Sequence, residues 1–377
     1  MPITVAVPKE TAEGEKRVAL VPSAAGKLAS KGLTVLIEQG AGEGIAMPDS
    51  AYTDAHENVS VVSRDEIFGA DVVLKVQPFT SEEISKLTSG NVAISFMQAH
   101  NKIEETKALR DGNITAIGME YIPRISRAQY MDALSSQAAV SGYKAVLIGA
   151  SKIGRFLPML TTAAGTIRPA VVLVIGVGVA GLQAIGTARR LGATVEGYDV
   201  RKATQEQVES MGAKFVDVGV YADGEGGYAR ELTEDELGQQ REVLAKHVAK
   251  CDILITTAAI PGRPAPKIIF KDMIDNMKPG AVIVDIAAET GGNTELTVAG
   301  EDVMYNNVLI HGAVNLPSTM PEHASEMYSK NLENLLALMV NDEGELALNW
   351  EDEVVSGACL THGGEIKHAQ SKQLIEG

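Results

Sequence analysis

The stretch VVLVIGVGVAGLQAIGTARRLGATVEGYDVR, residues 171–201, decides the fold class of this chain. A β-branched run leads into three glycines spaced as GxGxxG, a helical pattern follows, and a second short strand ends on Asp199. Strand, glycine turn, helix, strand and acid, in this order, are typical of the first βαβ unit of a dinucleotide-binding Rossmann domain. The sequence therefore predicts an α/β protein with a dinucleotide site at residues 176–181.

Each glycine of this turn has a separate physical task. Gly176 permits the tight turn, Gly178 lets the backbone approach a pyrophosphate, and Gly181 lets the helix pack against the strand. The N-terminus of the helix, which includes Val179 and Ala180, offers unpaired N–H groups to the phosphate charge. We predict that these five residues bind the cofactor.

Asp199 predicts which dinucleotide binds. A carboxylate at the end of the second strand accepts hydrogen bonds from the ribose hydroxyls of NAD and repels the additional phosphate of NADP. Arg201, two residues later, is in principle able to accept that phosphate, but the acid occupies the strand end itself. We therefore predict NAD as the cofactor, with Val200, Arg201 and Ala258 completing the binding residues.

Composition and charge narrow the class of protein. The 377 residues include 33 Lys and Arg against 49 Asp and Glu, a formal net charge of −16, and no dense basic run. Nucleic acid is therefore not expected as a partner. Cys251 and Cys359 form neither a disulfide framework nor a metal-binding spacing, so both are predicted to be buried thiols. The seven histidines form no metal-like cluster, and no metal is predicted.

Neither a targeting signal nor a membrane span is expected. The first residues lack the basic and apolar regions of a secretory signal peptide. The most apolar stretch, residues 170–182, is shorter than the roughly 20 residues that a transmembrane helix needs. These features favour a soluble intracellular enzyme.

Hydrophobic periodicity predicts two Rossmann-like α/β domains with parallel sheets, the dinucleotide domain being inserted into the first. The predicted boundaries are 1–138 for the opening segment of the N-terminal domain, 139–310 for the NAD-binding domain and 311–377 for the return to the first domain. Two domains around a dinucleotide imply a ligand cleft. Besides the glycine-turn unit, strands are predicted at 3–7, 33–38, 72–76, 93–96, 214–216, 253–257 and 282–286, and helices at 22–31, 81–86, 102–110, 135–148, 204–211, 233–249, 270–277 and 323–340.

Outside the glycine turn, several segments resemble the alanine dehydrogenase and nicotinamide nucleotide transhydrogenase superfamily. Three of them are VPKETAEGEKRVALVP near the N-terminus, LKVQP and AVNLPS. Two others are similar to the NAD(H)-binding component of transhydrogenase, called domain I. PRISRAQYMDALSSQA, residues 123–138, resembles its nicotinamide-holding loop, and GEGGYARELTE, residues 224–234, resembles its mobile loop. The resemblance extends over essentially the whole chain and, because no hydrophobic extension follows VSGACLTHGGEIKH, implies the separate alpha-1 type subunit.

The resemblance implies that four residues hold the nicotinamide ring and its carboxamide. Arg124, Gln129, Asp132 and Ser135 match the positions of that loop. A carboxamide needs a hydrogen-bond donor and an acceptor, which an amide and a hydroxyl side chain are able to supply. Arg124 and Asp132 either pair to hold the loop or contact the ring substituents and the phosphates.

The mobile-loop segment is assigned by resemblance alone. Tyr228 matches the tyrosine that folds over the adenosine end of the cofactor. Gly227, with Gly224 and Gly226, fits a hinge on its N-terminal side. A lid and an ordinary flexible loop have the same signature in sequence.

The chain departs from alanine dehydrogenase at the acid/base position. That enzyme resembles this chain at Arg17 and Lys75, which there hold the substrate carboxylate, but it has a histidine where SFMQAH has Gln98. Glutamine does not transfer a proton near neutral pH, and only a shift of register brings His100 to that place. Arg17 and Lys75 are therefore expected to pair with acids of the first domain. Glu289 stands where alanine dehydrogenases carry aspartate.

These features imply a hydride-donating component of proton-translocating NAD(P) transhydrogenase. NADH is expected to pass a hydride directly to NADP+ on a separate NADP-binding subunit, while a membrane-spanning subunit couples the exchange to proton translocation. By resemblance the chain is expected to form a homodimer, cytoplasmic and peripheral on the inner membrane through its partners. The alternatives are a stand-alone NAD-dependent alanine dehydrogenase and an NAD-binding regulatory module without turnover.

Overall fold

The computed structural model describes residues 3–224, 230, 232–259, 263–341 and 343–377. In chain order, the strands are β1 Thr4–Val7, β2 Thr34–Glu38, β3 Val59–Val62, β4 Val72–Leu74, β5 Val92–Ser95, β6 Thr115–Gly118, β7 Leu160–Thr162, β8 Gly165–Ile167, β9 Val171–Ile175, β10 Thr194–Tyr198, β11 Lys214–Phe215, β12 Ile253–Thr256, β13 Val282–Asp285, β14 Asp302–Tyr305, β15 Val308–Gly312, β16 Cys359–His362 and β17 Glu365–Ile366. The helices are α1 Pro22–Ser30, α2 Asp49–Thr53, α3 Arg64–Ile67, α4 Ser81–Lys86, α5 Ile103–Asp111, α6 Ala133–Lys152, α7 Val179–Arg190, α8 Thr204–Ser210, α9 Glu234–Val248, α10 Lys271–Asp275, α11 Pro321–Leu336, α12 Glu353–Ala358 and α13 Ala369–Glu376.

The chain divides into two compact units, each built on its own sheet. Unit 1 comprises Met1–Gln137 and Pro317–Gly377, and unit 2 comprises Ala138–Leu316. The change from one unit to the other falls inside α6. In the described residues, no helix has the length and apolar character needed to cross a membrane.

Unit 1 contains an eight-stranded sheet in the order β17-β16-β6-β5-β4-β1-β2-β3. Six strands are parallel, whereas β16 runs antiparallel to β6 and β17 runs antiparallel to β16. Side chains of a strand alternate between the two faces. Val5 and Val7 therefore join one buried cluster and Ala6 joins another. Both faces are covered, as a parallel sheet requires.

Unit 2 contains a seven-stranded sheet in the order β11-β10-β9-β12-β13-β15-β14. The strands are parallel except β14, which pairs antiparallel with β15. Val172 and Val174 pack on one face and Leu173 and Ile175 on the other. The central strand β9 thus lies between two layers, and its carboxyl end carries the glycine turn.

The α/β fold class predicted from the sequence is confirmed, and each predicted helix and strand is present. Most ends shift by one or two residues. The predicted helix at 270–277 is shorter, Lys271–Asp275, whereas the one at 135–148 extends over Ala133–Lys152. The predicted parallel sheets are present as well, and three strands at or next to the sheet edges, β14, β16 and β17, pair antiparallel with their neighbours. Periodicity missed the strands that are short, solvent-exposed or interrupted by polar residues, namely β3, β6, β7, β8, β14, β15, β16 and β17.

Candidate functional site

The glycine turn after β9 has the conformation that its sequence predicts. Gly176 has a φ of +89°, which L side chains rarely adopt, and a Cβ there would lie 2.7 Å from the Thr257 hydroxyl. A Cβ at Gly181 would lie 1.9 Å from the carbonyl oxygen of Gly176. Both positions therefore exclude any residue but glycine, for the turn and for the packing of α7 on β9.

Gly178 differs from the other two glycines. Among the described residues, a Cβ on Gly178 would meet no protein atom within 4 Å. Gly178 is the N-cap of α7, and no described side chain caps the helix there. The first N–H groups of a helix have no partner within it, so those of Val179 and Ala180 are available to an anion beside Gly178. The missing side chain leaves room for a ligand, which is what a pyrophosphate at this turn needs.

The helix α7 is held in place by its apolar face. Gly181, Ala184, Ile185 and Ala188 are buried at the i, i+3, i+4 and i+7 spacing of one helical face. That face packs against the sheet, so the N-terminus of α7 is fixed at the carboxyl end of β9.

Asp199 follows β10 directly, and its carboxylate is fully engaged. Oδ2 accepts a hydrogen bond of 2.7 Å from the Val177 N–H. Oδ1 accepts from the backbone N–H of Arg201 at 2.9 Å. The guanidinium of Arg201 donates to both oxygens, from Nε at 2.8 Å and from Nη2 at 2.7 Å. The acid, the arginine and the glycine turn are thus brought together, and Val200 lies between the acid and the arginine in the chain.

The segment after β12 forms the neighbouring wall. The Thr257 hydroxyl donates to the Gly176 carbonyl at 2.9 Å. The Ala258 N–H donates to Asn293 Oδ1 at 3.0 Å, and Asn293 Nδ2 donates to the carbonyls of Ala258 and Pro266. Asn293 is completely buried. Its three side-chain bonds fix the segment that contains Ala258 beside the glycine turn.

Asp285 in turn fixes Asn293, and sequence reasoning missed both residues. The Asp285 carboxylate is completely buried and accepts from the N–H groups of Asn293 and Thr294 and from the Thr297 hydroxyl. The only available signal was an acid at the end of β13 followed by GGNT at 291–294. Gly291 and Gly292 both have positive φ, which makes the tight turn back to Asn293.

Two predicted cofactor-binding residues, Gly227 and Tyr228, lie outside the described residues. Arg230, which is described, donates from its backbone N–H to the Ala222 carbonyl. Its guanidinium binds both carboxylate oxygens of Glu236, in the first turn of α9.

The loop that precedes α6 belongs to unit 1. Its residues Ser126–Met131 form a 3-10 helix. Asp132 accepts a bond of 2.9 Å from the Ser135 N–H and one of 2.6 Å from the Ser135 hydroxyl, so it caps α6. Of the predicted ring-holding residues, Asp132 and Ser135 are therefore in contact with each other. Arg124 and Gln129 are exposed.

The same loop is anchored at two points within unit 1. Asn331 on α11 donates to the Tyr130 carbonyl at 2.8 Å. Arg127 binds both oxygens of Asp352, the N-cap of α12, at 2.8 and 3.0 Å. The backbone is thereby fixed while the Tyr130 side chain stays 73% exposed.

Arg17 and Lys75 are buried in unit 1 and pair with acids, as predicted. Arg17 donates from Nε and Nη2 to the two oxygens of Glu15, at 2.8 and 2.7 Å. Burial opposes ionisation of Glu15, but its hydrogen bonds with Arg17 and the charge of that guanidinium lower its pKa to about 2. Lys75 Nζ donates to Glu83 at 2.6 Å. Both cations are thus neutralised by side chains of the same unit.

Gln98 joins this network, whereas His100 is exposed. Gln98 has a φ of +50°, and its N–H donates to Glu120 at 2.6 Å. Its amide lies 3.5 Å from that of Gln77, which donates to Glu15 at 2.7 Å. Glu15 is the partner of Arg17, so the residue that continues the Arg17 network is the glutamine.

The described residues contain neither a candidate metal site nor a reactive thiol. In those ranges no group of His, Cys, Asp and Glu side chains has the arrangement of a metal site. Cys251 and Cys359 are buried and unpaired with each other, as predicted. Burial raises the pKa of both thiols to about 12. Neither is therefore a nucleophile near neutral pH.

Comparison with known proteins gives matches over nearly the whole chain. The family models described as "Alanine dehydrogenase/PNT" match residues 6–141 with the N-terminal domain and 145–369 with the C-terminal domain. The chain is 47% identical over 374 residues to a Rhodospirillum rubrum protein that is named as the first part of NAD(P) transhydrogenase subunit alpha, covering 97% of each protein. A crystal structure of transhydrogenase from Sinorhizobium meliloti is 45% identical and superposes with a TM-score of 0.88, covering 96% of this chain and 99% of that one. Alanine dehydrogenase of Bacillus subtilis is more distant, at 29% identity, with 97% of this chain and 92% of that protein covered.

Proposed function

The chain belongs to the alanine dehydrogenase/PNT family, and we propose that it is the NAD(H)-binding component of a proton-translocating NAD(P) transhydrogenase. In this role it holds NADH while a hydride passes directly to NADP+ on a separate subunit. The observation that carries the proposal is the glycine turn of unit 2, whose open helix N-terminus lies beside a buried acid. The high identity to proteins named transhydrogenase subunits selects the activity within the family.

The residues around the glycine turn fit a dinucleotide. The space beside Gly178 and the N–H groups of Val179, Ala180 and Gly181 suit a pyrophosphate. Asp199 suits the ribose hydroxyls if one of the two guanidinium hydrogen bonds that it now accepts is exchanged for a ribose hydroxyl. Val200, Arg201 and Ala258 complete the proposed site on either side of the turn, and Gly227 and Tyr228 are proposed to cover the adenosine end.

The loop that precedes α6 is proposed to hold the nicotinamide ring. Gln129 is exposed on an anchored backbone, so its amide is free to bind a carboxamide. The Ser135 hydroxyl donates a hydrogen bond to Asp132, so the Ser135 oxygen is still able to accept one. Arg124, also exposed, is proposed to contact the cofactor from the start of the loop.

The chemistry needs no acid or base from this chain. NADH, when bound, supplies the hydride, and the two electrons and the hydrogen move together to NADP+. The task of Gln129 and Ser135 is to orient the ring, because holding two reacting groups in the correct geometry can lower a barrier by roughly 7–11 kcal/mol. Gln98, which does not transfer protons, fits such a reaction and does not fit the amination of pyruvate.

The proposed assembly has three kinds of partner. They are a second copy of this chain, an NADP-binding subunit and a membrane-spanning subunit, which would hold the chain on the cytoplasmic face of the inner membrane. The hairpin of β7 and β8 supports the homodimer. Within the described ranges its strands pair only with each other, and Phe156, Met159 and Ile167 in and before it are exposed. Exposed apolar groups of this kind favour protein contacts.

A reconstitution tests the proposal. The purified chain is mixed with a purified NADP-binding transhydrogenase subunit, NADH and an NADP analogue whose reduced form has its own absorbance. Reduction of the analogue that requires both proteins is the expected result. NADH binding without any transfer would leave the regulatory module as the function, and oxidation of NADH by pyruvate and ammonia would identify an alanine dehydrogenase.

A further inference from the structure

We propose that Asn331, on α11, is a positioning residue for hydride transfer. It sets the separation between the two side chains proposed to orient the nicotinamide ring, Gln129 and Ser135. Asn331 acts through the backbone rather than on the cofactor, because its amide binds the chain neighbour of each of these residues. The inference rests on the proposed function, since it requires that the loop that precedes α6 holds the ring.

The side-chain amide of Asn331 joins two points of the polypeptide. Nδ2 donates to the Tyr130 carbonyl at 2.8 Å, and Oδ1 accepts from the Ser136 hydroxyl at 2.7 Å. Tyr130 is the residue directly after Gln129 in the chain, and its carbonyl therefore moves with that residue. Ser136 is likewise the residue directly after Ser135. One planar group thus fixes how far apart the two proposed ring-orienting residues lie.

The amide of Asn331 has one preferred orientation in this place. The residue is only 6% exposed, so little water is available to replace a hydrogen bond that is lost. Exchange of the amide nitrogen and oxygen would place the oxygen against the Tyr130 carbonyl, an acceptor against an acceptor. Asn331 therefore holds the loop in one position rather than in several.

Apolar packing brings the loop to α11 but does not fix its exact position. Ala128 and Met131 of the loop belong to the same buried apolar cluster as Tyr328 of α11. Apolar attraction is non-directional, whereas a hydrogen bond requires a narrow range of distance and angle. The two bonds of Asn331 supply that precision. Ring orientation needs it, because a misplacement of about 1 Å can cost about 100-fold in rate.

The helix α11 supports the start of α6 at a second point. Gln137, the residue after Ser136, donates from its amide to the Ala324 carbonyl at 3.0 Å. Ala324 lies about two helical turns before Asn331, so both are on the same face of α11. The loop and the first turn of α6 are therefore attached to one face of a single helix, and geometry held by a helix is more precise than geometry held by a loop.

Replacement of Asn331 by leucine tests the role. Asn331→Leu exchanges the amide for an apolar group of similar shape and removes both bonds. Stopped-flow transfer from saturating NADH to an NADP analogue, in the complex reconstituted with the NADP-binding subunit, should slow at least about tenfold. The dissociation constant for NADH, titrated on the full chain, should stay close to that of the unmodified chain, because the proposed pyrophosphate and ribose contacts lie in unit 2.

Two control variants on α11 separate positioning from stability. Tyr328→Phe removes one buried bond, which the Tyr328 hydroxyl donates to the Lys75 carbonyl at 2.8 Å. It should lower the melting temperature without slowing transfer. Asn334→Leu is the same substitution three residues after Asn331 and removes an exposed bond to the Lys330 carbonyl. It should change neither quantity.

A double variant tests whether Asn331 acts through the loop. Gln129→Asn displaces the amide that the loop presents to the ring, so a loop that is already misplaced has little more to lose. Asn331→Leu/Gln129→Asn should therefore be no slower than the slower of the two single variants. Independent contributions would instead multiply, since the free-energy effects of uncoupled sites add.

The outcomes distinguish the inference from its premise. Transfer in Asn331→Leu that is as fast as in the unmodified chain, or slowed only as far as weaker NADH binding explains, overturns the role of Asn331. Multiplied effects in the double variant overturn it as well. Asn331→Asp keeps the acceptor for Ser136 but loses the donor to Tyr130, and it carries the same test if Asn331→Leu does not fold. An unmodified chain that transfers no hydride overturns the proposed function, and the inference with it.

Discussion

Lys75 Nζ lies 2.6 Å from Glu83 Oε2 in unit 1, and each of the two side chains is only 2% exposed. Glu83 is also the N3 residue of the capping box of α4, since its side chain accepts from the N–H of the N-cap residue Thr80. Its other oxygen accepts from Arg64 at 2.8 Å. Burial opposes ionisation of Glu83, but Lys75 and the other donors outweigh it and lower its pKa. Lys75 therefore acts as a structural cation.

Replacement of Lys75 should destabilise the protein. Lys75→Met leaves Glu83 and Glu10 buried without their shared ammonium, and loss of one partner of a buried ion pair typically costs about 3–5 kcal/mol. Chemical denaturation would measure the free energy of unfolding. The control is Lys330→Met, which removes an exposed pair with Glu326 and should cost at most about 1 kcal/mol. Equal stability of the two variants would contradict a structural role for Lys75.

Glu10 should make stability depend on pH. Burial raises its pKa from 4.5 to about 7, more than the nearby Lys75 charge lowers it. Because the folded pKa is the higher one, the contribution of Glu10 is fully present below pH 4.5 and is lost as the pH rises through 7. The loss amounts to roughly 3 kcal/mol at 1.36 kcal/mol per unit. Glu10→Gln should remove this component.

The comparison with Glu15 checks the sign of that effect. The pKa of Glu15 is lowered to about 2, so its contribution is present above its unfolded pKa of 4.5 and is lost as the pH falls through 2. Glu15→Gln should therefore flatten the acid side of the stability profile and Glu10→Gln the side between pH 4.5 and 7. Identical profiles for the two variants would show that the two carboxyls are not in opposite environments.

The chain should neither oxidise alanine nor aminate pyruvate, because Gln98 occupies the acid/base position. The purified chain should not oxidise NADH in the presence of pyruvate and ammonia, as followed by absorbance. His100→Ala should transfer hydride to the NADP-binding partner as fast as the unmodified chain. Alanine turnover that vanishes in His100→Ala would show that the histidine, and not Gln98, is the matching residue.

Gln129→Asn should slow hydride transfer much more than it weakens NADH binding. Shortening the side chain displaces the amide by roughly 1 Å, and a misplacement of that size can cost about 100-fold when catalysis depends on proximity. The pyrophosphate and ribose contacts of unit 2 remain. Stopped-flow transfer and a direct NADH titration measure the two quantities, with the exposed Gln373→Asn as control. If weaker NADH binding explained the whole decrease in transfer rate, the loop would have no role in orienting the ring.

Asn293→Ala should weaken both the fold of unit 2 and the binding of NADH. The change leaves the Ala258 N–H and two carbonyls without their partner, and each unsatisfied buried group costs about 1–3 kcal/mol. Asn276→Ala, which removes one exposed bond to Asp272, is the control. Thermal unfolding and NADH titration would measure the two effects. An unchanged dissociation constant for NADH would mean that Ala258 is not part of the site.

The sequence by itself determined the central βαβ unit. A β-branched run can be buried on both faces, and the glycine spacing admits one turn geometry, since Gly176 needs a positive φ and Gly181 has no room for a Cβ. Local rules of this kind act within about 30 residues, so they are visible in the chain alone. The same holds for Asp199 at the end of β10.

Only the tertiary structure decided which partners the buried charges have. Glu83 binds Lys75 and Arg64, and Asn293 binds Ala258. These contacts depend on how separate strands, helices and turns pack, which helical or strand periodicity does not predict. The antiparallel edge strands were missed for a similar reason, because their pattern is weak and their pairing depends on the neighbouring strand. A charged side chain that is buried away from water needs a partner. Which residue becomes that partner depends on the packing of the whole unit.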